Sequence, residues 1–174
     1  MAAGNFATCL PIILGYEGGF SDDPEDPGGA TMLGVTLGVY EQWVGRTVTP
    51  AELKALTPSD VAPIYRADYW DAVHGDDLPA GVDLMCFDEA VNQGPGRAVR
   101  TLQEAVGVTV DGSIGKITLA AVASFHAPGI IDAIRAARLA AYKSLPTYPR
   151  FGAGWTNRLN DVTARALSMA GSNA

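Results

Sequence analysis

Two helix starts of the same design constrain the fold more than anything else in this chain. Thr49-Pro50-Ala51-Glu52 and Thr57-Pro58-Ser59-Asp60 each place a hydroxyl at the N-cap, proline at the first helical position and a carboxylate three residues on. The second opens a helix that runs through Val61, Ile64, Tyr65 and Tyr69. Helical signals then dominate to the end. One segment covers roughly 80–92, with Leu84, Phe87 and Val91 on one side, and stops at Gly94-Pro95-Gly96. Others lie near 96–106, from Lys116 to Ser124, over 129–143 and near 153–169, where Trp155, Leu159, Val162, Ala166 and Met169 form a stripe. The expected fold class is mainly α, as two packed lobes with a small β or loop element after the first helix.

The chain's 174 residues fit one domain or two closely packed lobes. We place the division at 1–93 and 94–174. A 48% hydrophobic content allows a sizeable core without staples, so Cys9 and Cys86 read as buried thiols rather than a disulfide. The net charge of −7 argues against nucleic acid and against a polybasic membrane anchor. No apolar run approaches the ~20 residues of a membrane-spanning helix. Met1–Gly4 carries no Lys or Arg before the first apolar stretch. The expectation is therefore a protein made in the cytoplasm without a signal peptide, which reaches an external substrate only after release or export.

The first helix carries apolar residues Phe6, Cys9, Leu10, Ile13 and Leu14 on one face, with Pro11 as a kink or a late start. One further step of that series falls on Glu17, just before Gly18-Gly19. A carboxyl on a core-facing stripe at a helix C-terminus meets partial burial and an unfavourable dipole, and both raise a pKa. A carboxyl that keeps its proton near neutrality is suited to protonating a glycosidic oxygen. The alternative is a Glu that snorkels at the end of an amphipathic helix.

The segment after Glu17 favours chemistry. Residues 20–36 are dense in Gly, Pro and Asp and have no period, and a loop of that length in a compact domain is usually functional. Asp26, ahead of Pro27-Gly28-Gly29, is the best placed second carboxylate, and the hydroxyl of Thr31 is a candidate for positioning water. The acidic cluster lacks the spacing of a calcium loop. No zinc, serine-hydrolase or phosphate-loop pattern occurs, so neither metal nor cofactor is expected, and His74 and His126 read as surface residues.

Taken together, these segments resemble a known family. Glu17-Gly18-Gly19-Phe20, Asp26-Pro27-Gly28-Gly29-Ala30-Thr31 and Gly34-Val35-Thr36 are similar to the N-terminal signature of glycoside hydrolase family 108, lysozyme-like muramidases found as phage and prophage endolysins. The similarity continues through Tyr69-Trp70, Phe87–Gly94, Leu102-Gln103 and Gly154–Arg158. Asp111-Gly112-Ser113-Ile114-Gly115 with Thr118 resembles the small peptidoglycan-binding region of these proteins. Tyr16 stands where the family usually has Lys or His, and Pro11 is also a departure.

The resemblance implies a lysozyme-like fold with its active site in a cleft between the lobes, and hydrolysis of the β-1,4 bond between N-acetylmuramic acid and N-acetylglucosamine. The Glu17, Asp26, Thr31 spacing is also similar to the triad of another phage lysozyme family. That implies Glu17 as general acid, Asp26 as second carboxylate and Thr31 as the water-positioning group. The Asp26–Thr31 gap is one residue shorter than in that other family, which leaves Thr36 as a substitute for Thr31. Substrate-contact candidates are Tyr69 or Trp70, which diverge by about 100° on a helix, Asp88 and Asn92 on one face, and Gln103. Asn92 is the candidate for an N-acetyl group. Implied partners are bacterial peptidoglycan and a holin or secretion system, and the protein is expected to be a monomer. The rival readings are a wall-remodelling secretion activator with the same chemistry and a non-catalytic peptidoglycan-binding protein.

Overall fold

A computed structural model describes residues 4–22 and 29–171. The chain divides into two compact units, residues 7–67 and residues 1–6 with 68–174.

In the smaller unit, α1 (Phe6–Leu14) buries Cys9, Leu10, Ile13 and Leu14 and runs straight through Pro11. It stops three residues short of the expected end. Turn structure comes next, in which the Tyr16 and Glu17 amides both reach the Ile13 carbonyl, at 2.9 and 3.4 Å. Glu17 thus lies just beyond the helix rather than in its last turn. The polar segment returns at Ser21, whose amide and carbonyl pair with Thr31 at 2.9 and 2.8 Å. Strands β1 (Thr31–Met32) and β2 (Val35–Thr36) then form an antiparallel hairpin, with Thr31 opposite Thr36 and Met32 opposite Val35. Its two-residue turn puts Leu33 at φ 49° and Gly34 at φ 76°, the pair of left-handed conformations that a tight hairpin requires.

Helices α2 (Leu37–Val44), α3 (Pro50–Lys54) and α4 (Pro58–Tyr65) complete this unit. Both expected helix starts form. Glu52 accepts from the Thr49 amide at 2.9 Å, while the Thr49 hydroxyl accepts from the Glu52 amide at 3.2 Å. Asp60 accepts from the amide and hydroxyl of Thr57 at 2.8 and 2.6 Å. Val61, Ile64 and Tyr65 of α4 are buried, but the helix ends before Tyr69. A π-type turn over Arg66–Trp70 and short 3-10 turns over Asp71–Val73 and Gly75–Asp77 succeed it.

The larger unit is built around α5 (Val82–Gln93), buried on every side from Val82 to Ala90. A helix enclosed all round is a central one. It packs against α6 (Pro95–Ala105), α8 (Ala127–Ser144) and α9 (Tyr148–Gly171), with α7 (Lys116–Ser124) leading into α8. By compactness this central position groups α5 with the helices C-terminal to it. Among the described residues no single helix is long and apolar enough to cross a membrane. Cys9 and Cys86 are both buried and not in a disulfide.

Candidate active site and the buried network of the helical unit

The hairpin turn determines what faces Glu17. A Cβ built on Gly34 would lie 3.1 Å from Glu17 Oε2 and 3.2 Å from its Cγ, and would collide with the Tyr65 hydroxyl. The half-buried Glu17 carboxylate therefore rests against bare backbone, with a buried phenol meeting the same point. Tyr65 donates to the Leu33 carbonyl at 2.9 Å and so ties α4 to the strained turn. A left-handed Leu costs about 1–2 kcal/mol, and conformations of this kind persist where surrounding contacts hold them.

The two threonines opposite each other in the hairpin differ in what their hydroxyls do. Thr36 is the N-cap of α2, and its Oγ1 accepts from the Val39 amide at 3.3 Å. Thr31 donates to the Gly29 carbonyl at 3.3 Å, its side-chain hydrogen bond among the described residues. Asp26 lies outside the described residues.

Several other expected contact residues are occupied inside the protein. Trp70 has no exposed surface. Its indole N–H donates to Asp76 at 3.0 Å, and its ring meets the edges of Phe6 and Phe87 at 5.4 Å each. Trp70 is therefore a core residue with nothing to offer a sugar; Tyr69, its neighbour, is half-buried and reaches the surface. Gln103 is a correction of the same kind. Its amide donates to Asp111 Oδ1 at 2.7 Å and to the Ser113 carbonyl at 3.0 Å, and accepts from the Gly112 amide at 2.8 Å. With its donors and acceptor spent on that turn and 1% of its surface exposed, it clamps the Asp111–Ser113 loop and does not face a ligand.

Asp88 is likewise enclosed. It accepts from Arg138 Nη2 at 2.7 Å and Arg158 Nε at 2.9 Å, joining α5 to α8 and α9. Asp88 and Arg138 are fully buried and Arg158 partly so, which is affordable only because each carboxylate oxygen meets a guanidinium. Next to it, burial raises the pKa of Glu89, against the opposing pull of Arg138, a hydrogen bond from Thr101 at 2.8 Å, and Arg97 at 3.9 Å. Asn92 is exposed at the end of α5. Its Nδ2 is anchored on the Asp88 carbonyl at 2.7 Å.

No sequence motif marks this buried network. Its arginines lie 50 and 70 residues from Asp88, and Arg at helix surfaces is ordinarily solvated. The one available signal is the uninterrupted apolar-acidic run of α5, which has no polar face to give to water.

The comparisons with known proteins agree with a glycosidase half and a wall-binding half. The Glycosyl hydrolase 108 family model matches residues 10–94, and a model described as Predicted Peptidoglycan domain matches residues 97–160. The chain belongs to glycoside hydrolase family 108 and is a peptidoglycan hydrolase with a peptidoglycan-binding region. In particular it is similar to Brucella abortus SagA, with 50% identity, 96% of each chain covered and a TM-score of 0.83. No protein of curated function matches the chain.

Proposed function

We propose that the protein is a lysozyme-type muramidase that hydrolyses the β-1,4 bond between N-acetylmuramic acid and N-acetylglucosamine. Glu17 protonates the leaving glycosidic oxygen, and Asp26 serves as the second carboxylate that activates water or stabilises the oxocarbenium-like centre. Thr31 positions water. In support of that choice over Thr36, the Thr36 hydroxyl accepts from the Val39 amide as the N-cap of α2. The observation that carries the reading is the half-buried Glu17 carboxylate packed, together with the Tyr65 hydroxyl, against a hairpin turn whose glycine leaves room for both.

The test is digestion of purified sacculi and then borohydride reduction of the new ends. A muramidase yields muramitol; glucosaminitol would identify the other glycosidic bond as the target and overturn the specificity. Glu17→Gln should lower the rate about 100-fold or more, as expected for loss of a general acid. An undiminished rate would move the acid elsewhere, and an inactive wild type would favour a binding protein.

Two uses of this chemistry share the site: lysis from a prophage, with a holin for release, and local opening of the wall for export. Likeness to a protein of a cellular bacterium, Brucella abortus, favours the second. Adjacent holin or tail genes would instead mark a lytic role.

A further inference from the structure

Glu17 lies beyond the last turn of α1, so its side chain takes its place from what it rests on. That support is the Leu33-Gly34 turn, against which both Cγ and Oε2 of Glu17 pack. The turn is not one that this sequence favours. Its first central position is left-handed, which suits Asn, Asp or Gly, and here it holds Leu33 at φ 49°. Left to its own preference, a Leu returns to negative φ and moves the peptide that joins it to the next residue.

Tyr65 opposes that return. Its hydroxyl donates to the Leu33 carbonyl at 2.9 Å, and that carbonyl belongs to the peptide between the two turn residues. A hydrogen bond of this kind is of the same order as the strain of a left-handed Leu, so its loss is enough to release the turn. The phenol is a fixed post. Tyr65 is buried at the end of α4 with Val61 and Ile64, and the Thr57–Asp60 box pins the start of that helix. Regular helix gives way directly after it to the π-type turn over Arg66–Trp70, a departure that is frequent at functional sites. The hydroxyl also meets the same point beside Gly34 as the Glu17 carboxylate, so one oxygen shapes both the turn and the space next to the acid.

We infer that Tyr65 is a positioning residue for the reaction: its hydroxyl, through the Leu33 carbonyl, holds the turn that sets where the Glu17 carboxyl meets the glycosidic oxygen. The inference rests on the reading of Glu17 as general acid, and Tyr65 acts through Glu17 rather than on the sugar.

The experiment is Tyr65→Phe in the full chain, which deletes the hydroxyl and keeps the ring. Two substrates are compared: purified sacculi, and the dinitrophenyl β-glycoside of the N-acetylglucosamine–N-acetylmuramic acid disaccharide. Dinitrophenolate leaves without taking a proton, so the second substrate does not need the acid. On sacculi kcat should fall about tenfold or more with KM within about twofold, because a misplacement of ~1 Å costs up to about 100-fold. On the dinitrophenyl glycoside turnover should stay within about twofold of the wild type. A variant that merely folds poorly loses rate equally on both, so equal losses would overturn the inference, as would an unchanged kcat on sacculi or a change confined to KM. Leu33→Asn supplies the rescue. It makes the turn Asn-Gly, which adopts the left-handed pair unaided, and in that background Tyr65→Phe should cost less than about twofold. A full loss that persists there would show that the hydroxyl does not act through the turn. Glu17→Gln separates this inference from the reading beneath it: sacculus turnover should be lost and that of the dinitrophenyl glycoside kept. If Glu17→Gln leaves both rates intact, the acid is elsewhere. If it behaves as expected while Tyr65→Phe does not tell the substrates apart, the positioning role alone falls.

Discussion

Gly34 is the residue on which the geometry around Glu17 depends. Any side chain there meets a left-handed backbone penalty of about 1–2 kcal/mol, a collision with the Tyr65 hydroxyl and close contact with Glu17. Gly34→Ala should therefore lower the melting temperature and depress activity together. Gly38→Ala is the control: its added methyl meets nothing within 4 Å and its φ is ordinary, so stability should hold or rise slightly. Equal effects of the two substitutions in thermal melts would show that the turn does not depend on glycine. Glu17 stands out in the sequence because an acid extends an apolar series. Its surroundings do not, since a turn in a later hairpin and a phenol from another helix become neighbours only through the hairpin register. Trp70 and Gln103 show the converse. Both lie in family-like motifs, but one fills the core and the other clamps a turn, roles that sequence motifs alone do not separate from substrate contact.

At the scale of elements, local signals predict what local physics decides. Capping residues and 3.6-residue periods locate most of the helices, because caps and stripes act within a few residues. The end of α1 and the break after Tyr65 escape such signals, since tertiary contacts set both. The placement of α5 also depends on long-range pairing, and two predictions test it. Asp88→Ala would leave the fully buried Arg138 guanidinium without its paired carboxylate and should cost about 3–5 kcal/mol in denaturant unfolding; a loss below about 1 kcal/mol would mean the pair is dispensable. At the other end of α5, Asp83 accepts from Asn5 at 2.9 Å and from the amides of Gly81 and Leu84 at 2.7 Å each. Burial nonetheless raises its pKa from 3.8 to about 6. The folded state thus holds this proton more tightly than the unfolded chain. Its contribution is fully present below pH ~4 and is lost as pH rises to ~6, about 3 kcal/mol in all. Asp83→Asn should remove that slope from the pH dependence of stability, and an unchanged slope would assign it to another group.

For the whole molecule, net charge sets a condition on encounter. A protein of charge −7 meets an anionic polymer against long-range repulsion. Raising ionic strength from about 10 to about 100 mM shortens the Debye length from ~30 to ~10 Å and should speed hydrolysis of intact walls. Rates that fall monotonically with salt over that range would indicate that local positive charge, as at Arg97, governs encounter instead.

The two sulfur atoms provide a way to watch each half of the chain come apart. Cys9 lies in the unit of residues 7–67 and Cys86 in the helical unit, with 0% and 1% of their surfaces accessible. A thiol reagent reaches either one only after its own unit opens. Single-cysteine variants labelled under native conditions would therefore read two opening free energies, one for the half that carries Glu17 and one for the half that carries the arginines.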